Sequence, residues 1–491
     1  MNEDNENKII QTNTSKNNVI KSLIWKFLER GGVQGIQFIL QIILARILCP
    51  DDYGIIAILM AFIALANVFV QSGLNTALIQ KKDADEDDFS SVFWLSIIIS
   101  FSLYVVLFFT APLISRFYDK QILIPVLRVL SITLFFGALN SVQNAMVSKT
   151  MQFKRFFFSS MGGVFGSGII GIICAYKGLG VWALVIQHLS NNILISIILW
   201  FTVKWRPKFV FKIQKLKVLF NFGWKILCSS LLDTAYLQIY NLIVGKTFSS
   251  EDLGYFSRGE QFPSVIVNNL NGSIQSVMLP TLSSYNDKAE EIKKITRRSI
   301  SVSSFVIWPC MLGLITIAKP LVHILLTDKW LLCVPYLQLA CLSYALYPIH
   351  TANLTAINAM GRSDVFLKLE LLKKLLGIII IFVTIPYGLF AMAVGRVIQG
   401  IISTFINSFP NRKLLHYNYL EQLKDIFPSI LLSIIMVCIL NLFTLLNLPS
   451  VFLLILQIIV GAGVYLCLAY FLKIDVFKYF ISTIKGFKNG K

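Results

Sequence analysis

Four polar residues, Arg30, Gln34, Gln37 and Gln41, recur at spacings of four, three and four through an otherwise apolar stretch. On an α-helix that spacing places them on one face, a guanidinium followed by three amides that can donate and accept hydrogen bonds. Two hundred positions later Ser230, Thr234 and Asn241 form a comparable stripe, with Asp233 beside it and Tyr236 and Tyr240 near. A second pair of stripes is Asn67, Gln71 and Asn75 against Asn268, Asn271 and Gln275. Within them Gln71 and Asn271, and Asn75 and Gln275, again lie 200 apart. Polar groups in apolar helices serve either as hydrogen bonds between helices or as the lining of a wet cavity. Four matched stripes favour a shared, water-accessible cavity. Arg30, Lys225, Arg258 and Arg396 fall in or at the ends of the same kind of segment, where an uncompensated cation is costly. Two uses remain open for them: an anion-binding lumen, or structural ion pairs and snorkelling, with Glu29, Asp233 and Glu260 as nearby compensation. Arg46 and Lys246, at helix ends, read as snorkelling cations.

The elements that must position these groups are membrane helices. Of 491 residues 56% are hydrophobic and only 14% charged, against about 25% charged in soluble domains. Crossing a hydrocarbon layer takes about 20 apolar residues, and such runs recur near 23–48, 54–78, 91–113, 122–147, 157–176, 180–203, 219–246, 255–281, 299–326, 331–358, 366–386, 388–408, 427–446 and 450–472. The reading is an all-α polytopic membrane protein of about fourteen spans. A barrel is excluded by continuous apolarity in stretches such as 95–111, where alternation would be required. The first twenty residues are polar and lack the apolar core of a cleaved signal. With the N-terminus inside, most of the 44 Lys and Arg fall in cytoplasmic connections, which sets the orientation and puts both termini in the cytoplasm.

A repeat underlies this layout. Leu44-Ala-Arg-Ile-Leu-Cys-Pro-Asp-Asp-Tyr-Gly54 aligns with Val244-Gly-Lys-Thr-Phe-Ser-Ser-Glu-Asp-Leu-Gly254. Farther on, Pro112-Leu-Ile recurs as Pro320-Leu-Val, Asn144-Ala-Met as Asn358-Ala-Met, and Gly180-Val-Trp-Ala-Leu-Val as Gly388-Leu-Phe-Ala-Met-Ala. Six spans per copy give both copies the same polarity. The expected organisation is an N-terminal tail (1–20), an N-lobe of spans 1–6 (21–203), a basic linker (204–218), a C-lobe of spans 7–12 (219–410), two further spans (427–472) and a basic tail (473–491). Spans 1, 2, 7 and 8 would line a cleft between the lobes.

Other marks have plainer readings. Gly162, Gly163, Gly166, Gly168 and Gly171 suit close helix packing. The eight cysteines lack metal-site spacing and read as packing residues. His188, His323 and His350 lie apart, and the acidic run Asp83, Asp85, Glu86, Asp87, Asp88 reads as a solvated face. Although the net charge is +19, the basic residues occupy alternate loops rather than one aromatic-interleaved patch, which argues against nucleic acid. No metal or cofactor is expected, apart from a possible coupling proton or sodium ion.

The segment Glu29-Arg30-Gly-Gly-Val-Gln-Gly-Ile-Gln-Phe, followed by the motif ending at Gly54, resembles polysaccharide flippases of the O-antigen and teichuronic-acid exporter type. These belong to the multidrug, oligosaccharidyl-lipid and polysaccharide exporter superfamily, and the resemblance covers most of the chain, including twelve spans plus two. It implies a V-shaped pair of six-helix lobes in the bacterial inner membrane, alternating between inward-open and outward-open states. It also implies a cargo of oligosaccharide on an undecaprenyl pyrophosphate carrier, with membrane lipids and other polysaccharide-assembly proteins as partners. Guanidinium groups would take the pyrophosphate in a bidentate way, and the stripes would bond the sugars. Asp233 and Glu260 depart from a purely basic funnel.

One competing reading on the same scaffold is a cation-coupled drug antiporter with Asp233 as the coupling carboxylate. A membrane glycan polymerase or ligase is disfavoured, because predicted outer connections are short and no acid/base constellation gathers. The chain is therefore expected not to be an enzyme.

Overall fold

The computed structural model describes Trp25 and residues 29–478, apart from 72, 82, 284, 286–287 and 446–447. Most of both terminal tails, and the side chain of Arg30, lie outside the described residues. Within them the chain is all-α, with no strand. A single π-helical turn, Glu29–Val33, leads into α1 (Gln34–Ile47). There follow α2 (Pro50–Gln71), α3 (Leu74–Gln80), α4 (Glu86–Tyr118), α5 (Leu123–Leu130), α6 (Thr133–Lys149), α7 (Phe153–Tyr176), α8 (Val181–Thr202), α9 (Ile213–Thr247) and α10 (Ser250–Ser283). The remainder is α11 (Ala289–Leu326), α12 (Val334–Ala345), α13 (Tyr347–Ala359), α14 (Ser363–Thr384), α15 (Leu389–Ser408), α16 (Asn411–Leu414), α17 (Tyr419–Phe443) and α18 (Ser450–Phe471). Among the described residues ten helices, counted across short breaks, are long and apolar enough to cross a membrane. The 35 residues of α9 and 34 of α10 are as long but more polar.

The chain divides into two compact units, Met1–Gly254 and Tyr255–Lys491. The division falls after α9, because α9 packs along α2, α3 and α4. In the first unit α7 and α8 form the tightest pair. The glycines of α7 make this possible: Gly162, Gly163, Gly166 and Gly171 receive Ile198, Ile195, Leu194 and Gln187 of α8, while Gly168 receives Leu40 of α1. A small-residue face lets helix backbones approach where lipid offers no hydrophobic drive.

The start of α4 carries a full capping box between Asp85 and Asp88, which satisfies donors that the helix itself leaves open. The acidic run around it is a solvated face only at Asp83 and Asp85, which are exposed. Asp88 is fully buried and pairs with Lys81 at 2.6 Å, while Glu86 and Asp87 pair with Lys208 and Lys212 at 2.5 Å each and Asp85 pairs with Lys215. Linker and acidic run are oppositely charged, so each neutralises the other. Trp205 and Leu216 drop from the linker into a core with Phe89, Val92 and Phe93 of α4, and Trp94 Nε1 donates to Lys208 O at 2.9 Å. The linker is thus fastened to its own unit.

In the second unit α17 lies along α11, and α18 covers both. Phe305 of α11 meets Leu432, Met436 and Leu440 of α17 and Tyr465 of α18, and Tyr465 Oη donates to Phe305 O at 2.8 Å. A buried polar knot ties α17 to α13, α15 and α16. Asn353 Nδ2 donates to Gln422 Oε1 at 2.7 Å, Asn411 Nδ2 to Asn353 Oδ1 at 2.6 Å, and Asn407 Nδ2 lies 3.0 Å from His350 Nδ1. The two added helices therefore pack against the side of the second unit.

The repeat is legible in the backbone. Asp52 Oδ2 accepts from Cys49 N at 3.0 Å, and its mate Asp252 Oδ2 from Ser249 N at 3.2 Å. Pro112 and Pro320 both sit inside long helices, which end at Asp119 and Thr327 with φ of 55° and 80°. Gly180 and Gly388, with φ of 54° and 93°, immediately precede α8 and α15. Positive φ at non-glycine residues is uncommon, so its recurrence at matched positions is a strong mark of duplication.

Candidate functional site

The stripe Asn67, Gln71 and Asn75 is split by a break at Gly73, whose φ is 78°, between α2 and α3, and packing decides which stripes meet. Gln34 is exposed and Gln37 and Gln41 half-buried on α1, which lies against α7. On α2, Gln71 Nε2 donates to Asn67 Oδ1 at 3.4 Å, and Asn75 Nδ2 of α3 donates to the Gln71 carbonyl at 2.9 Å. A Cβ at Gly137 of α6 would lie 2.9 Å from Gln71 Nε2 and 3.0 Å from Asn67 Oδ1, so glycine there makes room for the two amides.

On α9, Lys225 and Asp233 are exposed, Thr234 is half-buried, and Asn241 Nδ2 donates to Gln238 Oε1 at 2.9 Å. α2 and α9 touch backbone to backbone near one end, where a Cβ on Gly73 would lie 2.5 Å from Gly223 O. Toward the other end Gly245 of α9 receives Ile58 of α2, since a Cβ there would lie 2.6 Å from Ile58 Cγ1. The first unit therefore brings the second and third stripes onto neighbouring helices, with an exposed cation and carboxylate eight residues, or about 12 Å, apart on α9.

In the second unit Arg258 of α10 is buried, its guanidinium on Gln261 Oε1 and 5.3 Å from the Trp330 ring centroid, which suits a cation–π contact. Arg396 of α15 pairs with Glu260 of α10. The two arginines thus have protein partners, and the charge of Arg396 is balanced by Glu260. On the same helix Asn271 is buried and Gln275 exposed. Lys246 does not merely snorkel: it pairs with Asp119 at 3.2 Å.

Sequence reasoning missed the ion-pair clasp at the start of α4 and the knot around Asn353, because both join residues distant in the chain. The alternating basic residues of the linker opposite a five-residue acidic run were the available signal for the first. Of the cysteines, Cys333 and Cys341 pack inside as expected, whereas Cys49, Cys228, Cys310, Cys438 and Cys467 lie exposed on the protein surface.

Residues 43–335 match the family model described as polysaccharide biosynthesis protein. The succinoglycan biosynthesis transport protein ExoT of Rhizobium meliloti is 22% identical over 347 residues, 71% of this chain and 70% of that one. The teichuronic acid biosynthesis protein TuaB of Bacillus subtilis is 25% identical over 369 residues, 74% of this chain and 76% of that one. Among solved structures, the lipid II flippase MurJ in an inward closed conformation superposes with a TM-score of 0.74 at 18% identity, covering 93% of this chain and 99% of that one, which shows a common fold. With more than half its length matched by the family model, a duplicated helical backbone and stripes of polar residues on membrane helices, this chain belongs to the polysaccharide biosynthesis protein family.

Proposed function

We propose that this chain is a flippase that moves oligosaccharide linked to undecaprenyl pyrophosphate across the bacterial cytoplasmic membrane by alternating access, for surface polysaccharide assembly. The observation that carries the reading is the duplicated membrane bundle whose α2 and α9 stripes lie on neighbouring helices. Amides on such stripes replace water around sugar hydroxyls, which would otherwise cross hydrocarbon unsatisfied. Arg30 and Lys225 of the first unit supply positive charge for the pyrophosphate, tempered by Asp233, whereas Arg258 and Arg396 of the second unit are held by Gln261, Trp330 and Glu260. The termini and the linker face the cytoplasm, and the turns at 48–50 and 248–250 face outside. The chain acts as a transporter without covalent chemistry, and its relatives' names, succinoglycan transport and teichuronic acid biosynthesis, agree with a glycan cargo.

The test is complementation of a bacterium lacking its own polysaccharide flippase. Expression should restore surface glycan, and Arg30→Ala should reduce display at least about tenfold, the order expected for one lost charge-assisted contact, at unchanged membrane protein levels. Failure of the parent chain to move any undecaprenyl-linked cargo defeats the reading. Drug resistance gained on expression and lost in Asp233→Asn would replace it with a drug antiporter.

A further inference from the structure

Four consecutive residues at the end of α4 hold the turn between α9 and α10. The Phe117 ring lies 4.9 Å from Lys246 Nζ, Tyr118 Oη donates to Leu242 O at 3.2 Å, and Asp119 pairs with Lys246 at 3.2 Å. Lys120 then pairs with Asp51 at 2.7 Å and reaches the Ser250 hydroxyl, which itself bonds Asp51. Beneath this cluster the two copies of the repeat meet reciprocally. A Cβ on Gly54 would run into the Ser250 carbonyl, and a Cβ on Gly254 into the Pro50 carbonyl. Since positions 50 and 250 are themselves repeat mates, each copy's glycine seats on the other copy's turn about a local twofold. The glycines at the end of the repeated motif are thus explained: no side chain fits between the two backbones. Such a contact leaves little room for intermediate separations.

The end of α4 that carries this cluster is opposite the end clasped to the linker, about 50 Å away at 33 residues. We propose that residues 117–120 form a latch that closes the outer end of the transporter, with Lys120 as a positioning residue whose withdrawal from Asp51 and Ser250 frees the α9–α10 turn during transport. This rests on the transporter reading above. Lys120 and Asp51 are 31% and 47% exposed, wet enough for the pair to break within a transport cycle.

The latch predicts the accessibility of Val244, fully buried on α9 between Leu242 and Lys246, the two residues that the latch holds. In a full-length chain with its eight cysteines replaced, Val244→Cys would be labelled from outside with a membrane-impermeant maleimide, without added cargo. Lys120→Ala and Ser250→Ala should each raise the labelling rate about tenfold, the size expected for losing one charge-assisted bond, while Lys120→Arg stays near the parent. Unchanged labelling in both variants, at monodisperse behaviour and parental expression, would overturn the latch. Labelling does not depend on cargo, so its failure is distinct from failure of the flippase reading, which complementation reports.

Discussion

Arg396 and Glu260 illustrate how a cation at membrane depth is kept. Their side chains are 28% and 23% exposed, so water reaches them only in part and each depends on the other. Removing one member of a fully buried pair costs about 3–5 kcal/mol, because the survivor remains charged in a poor solvent. Partial exposure reduces this to about 2 kcal/mol. Arg396→Met alone is therefore expected to lower the thermal unfolding midpoint in detergent, and Arg396→Met with Glu260→Gln to recover most of the loss. Equal destabilisation by the single and double variants would show that the ion pair contributes nothing of its own. Arg258 differs, since its partners are the Gln261 amide and the Trp330 face. Lysine cannot reproduce that planar stacking, so Arg258→Lys should destabilise although charge is conserved, as the same unfolding measurement would reveal.

Between helices, the clasp joins the start of α4 to the linker before α9, and its electrostatics fix a pH window. At Asp85, burial works against ionisation, but hydrogen bonds from Lys215 and from the Asp88 backbone prevail and lower the pKa from 3.8 to about 2. At Asp87 the hydrogen bond from Lys212 is the main cause of a shift in the same direction. A carboxylate whose folded pKa is depressed stabilises above its unfolded value, and that stability is lost as pH falls through the folded one. Amide exchange in residues 206–216, corrected for its intrinsic pH dependence, should hence stay constant from pH 8 to 5 and quicken between about pH 4 and 2. An onset near pH 6 would point to a histidine instead. Helix positions, the polar stripes and the glycine face of α7 were readable in the sequence because each is a local periodicity. The clasp, the Asn353 knot and the seating of Gly54 on Ser250 were not, since they depend on which distant segments share a surface. Asp88 makes the point: among five acidic neighbours nothing local marks it as the fully buried one.

Across the whole molecule, duplication and charge asymmetry together determine which way the chain faces. The turns at Cys49–Asp52 and Ser249–Asp252 share one capping geometry, and in the proposed layout, with α9 crossing as well as the five apolar helices before it, six spans separate them and both would lie on the same side of the membrane. The linker, with Lys204, Arg206, Lys208, Lys212, Lys215 and Lys217, lies at the other end of α4 and hence on the opposite side. Positive charge in short connections is retained in the cytoplasm, yet three acidic partners, Asp85, Glu86 and Asp87, neutralise about half of the linker's charge once the clasp has formed. Orientation is set during insertion, before that pairing, so the unpaired sequence is what the rule reads. Reporters fused after residues 49 and 249 should consequently both register outside, and one fused after residue 210 inside. Opposite readings at 49 and 249 would mean an inverted repeat, incompatible with the reciprocal glycine contacts. Both readings inside would keep the repeat but turn the latch toward the cytoplasm, making it an entry rather than an exit gate.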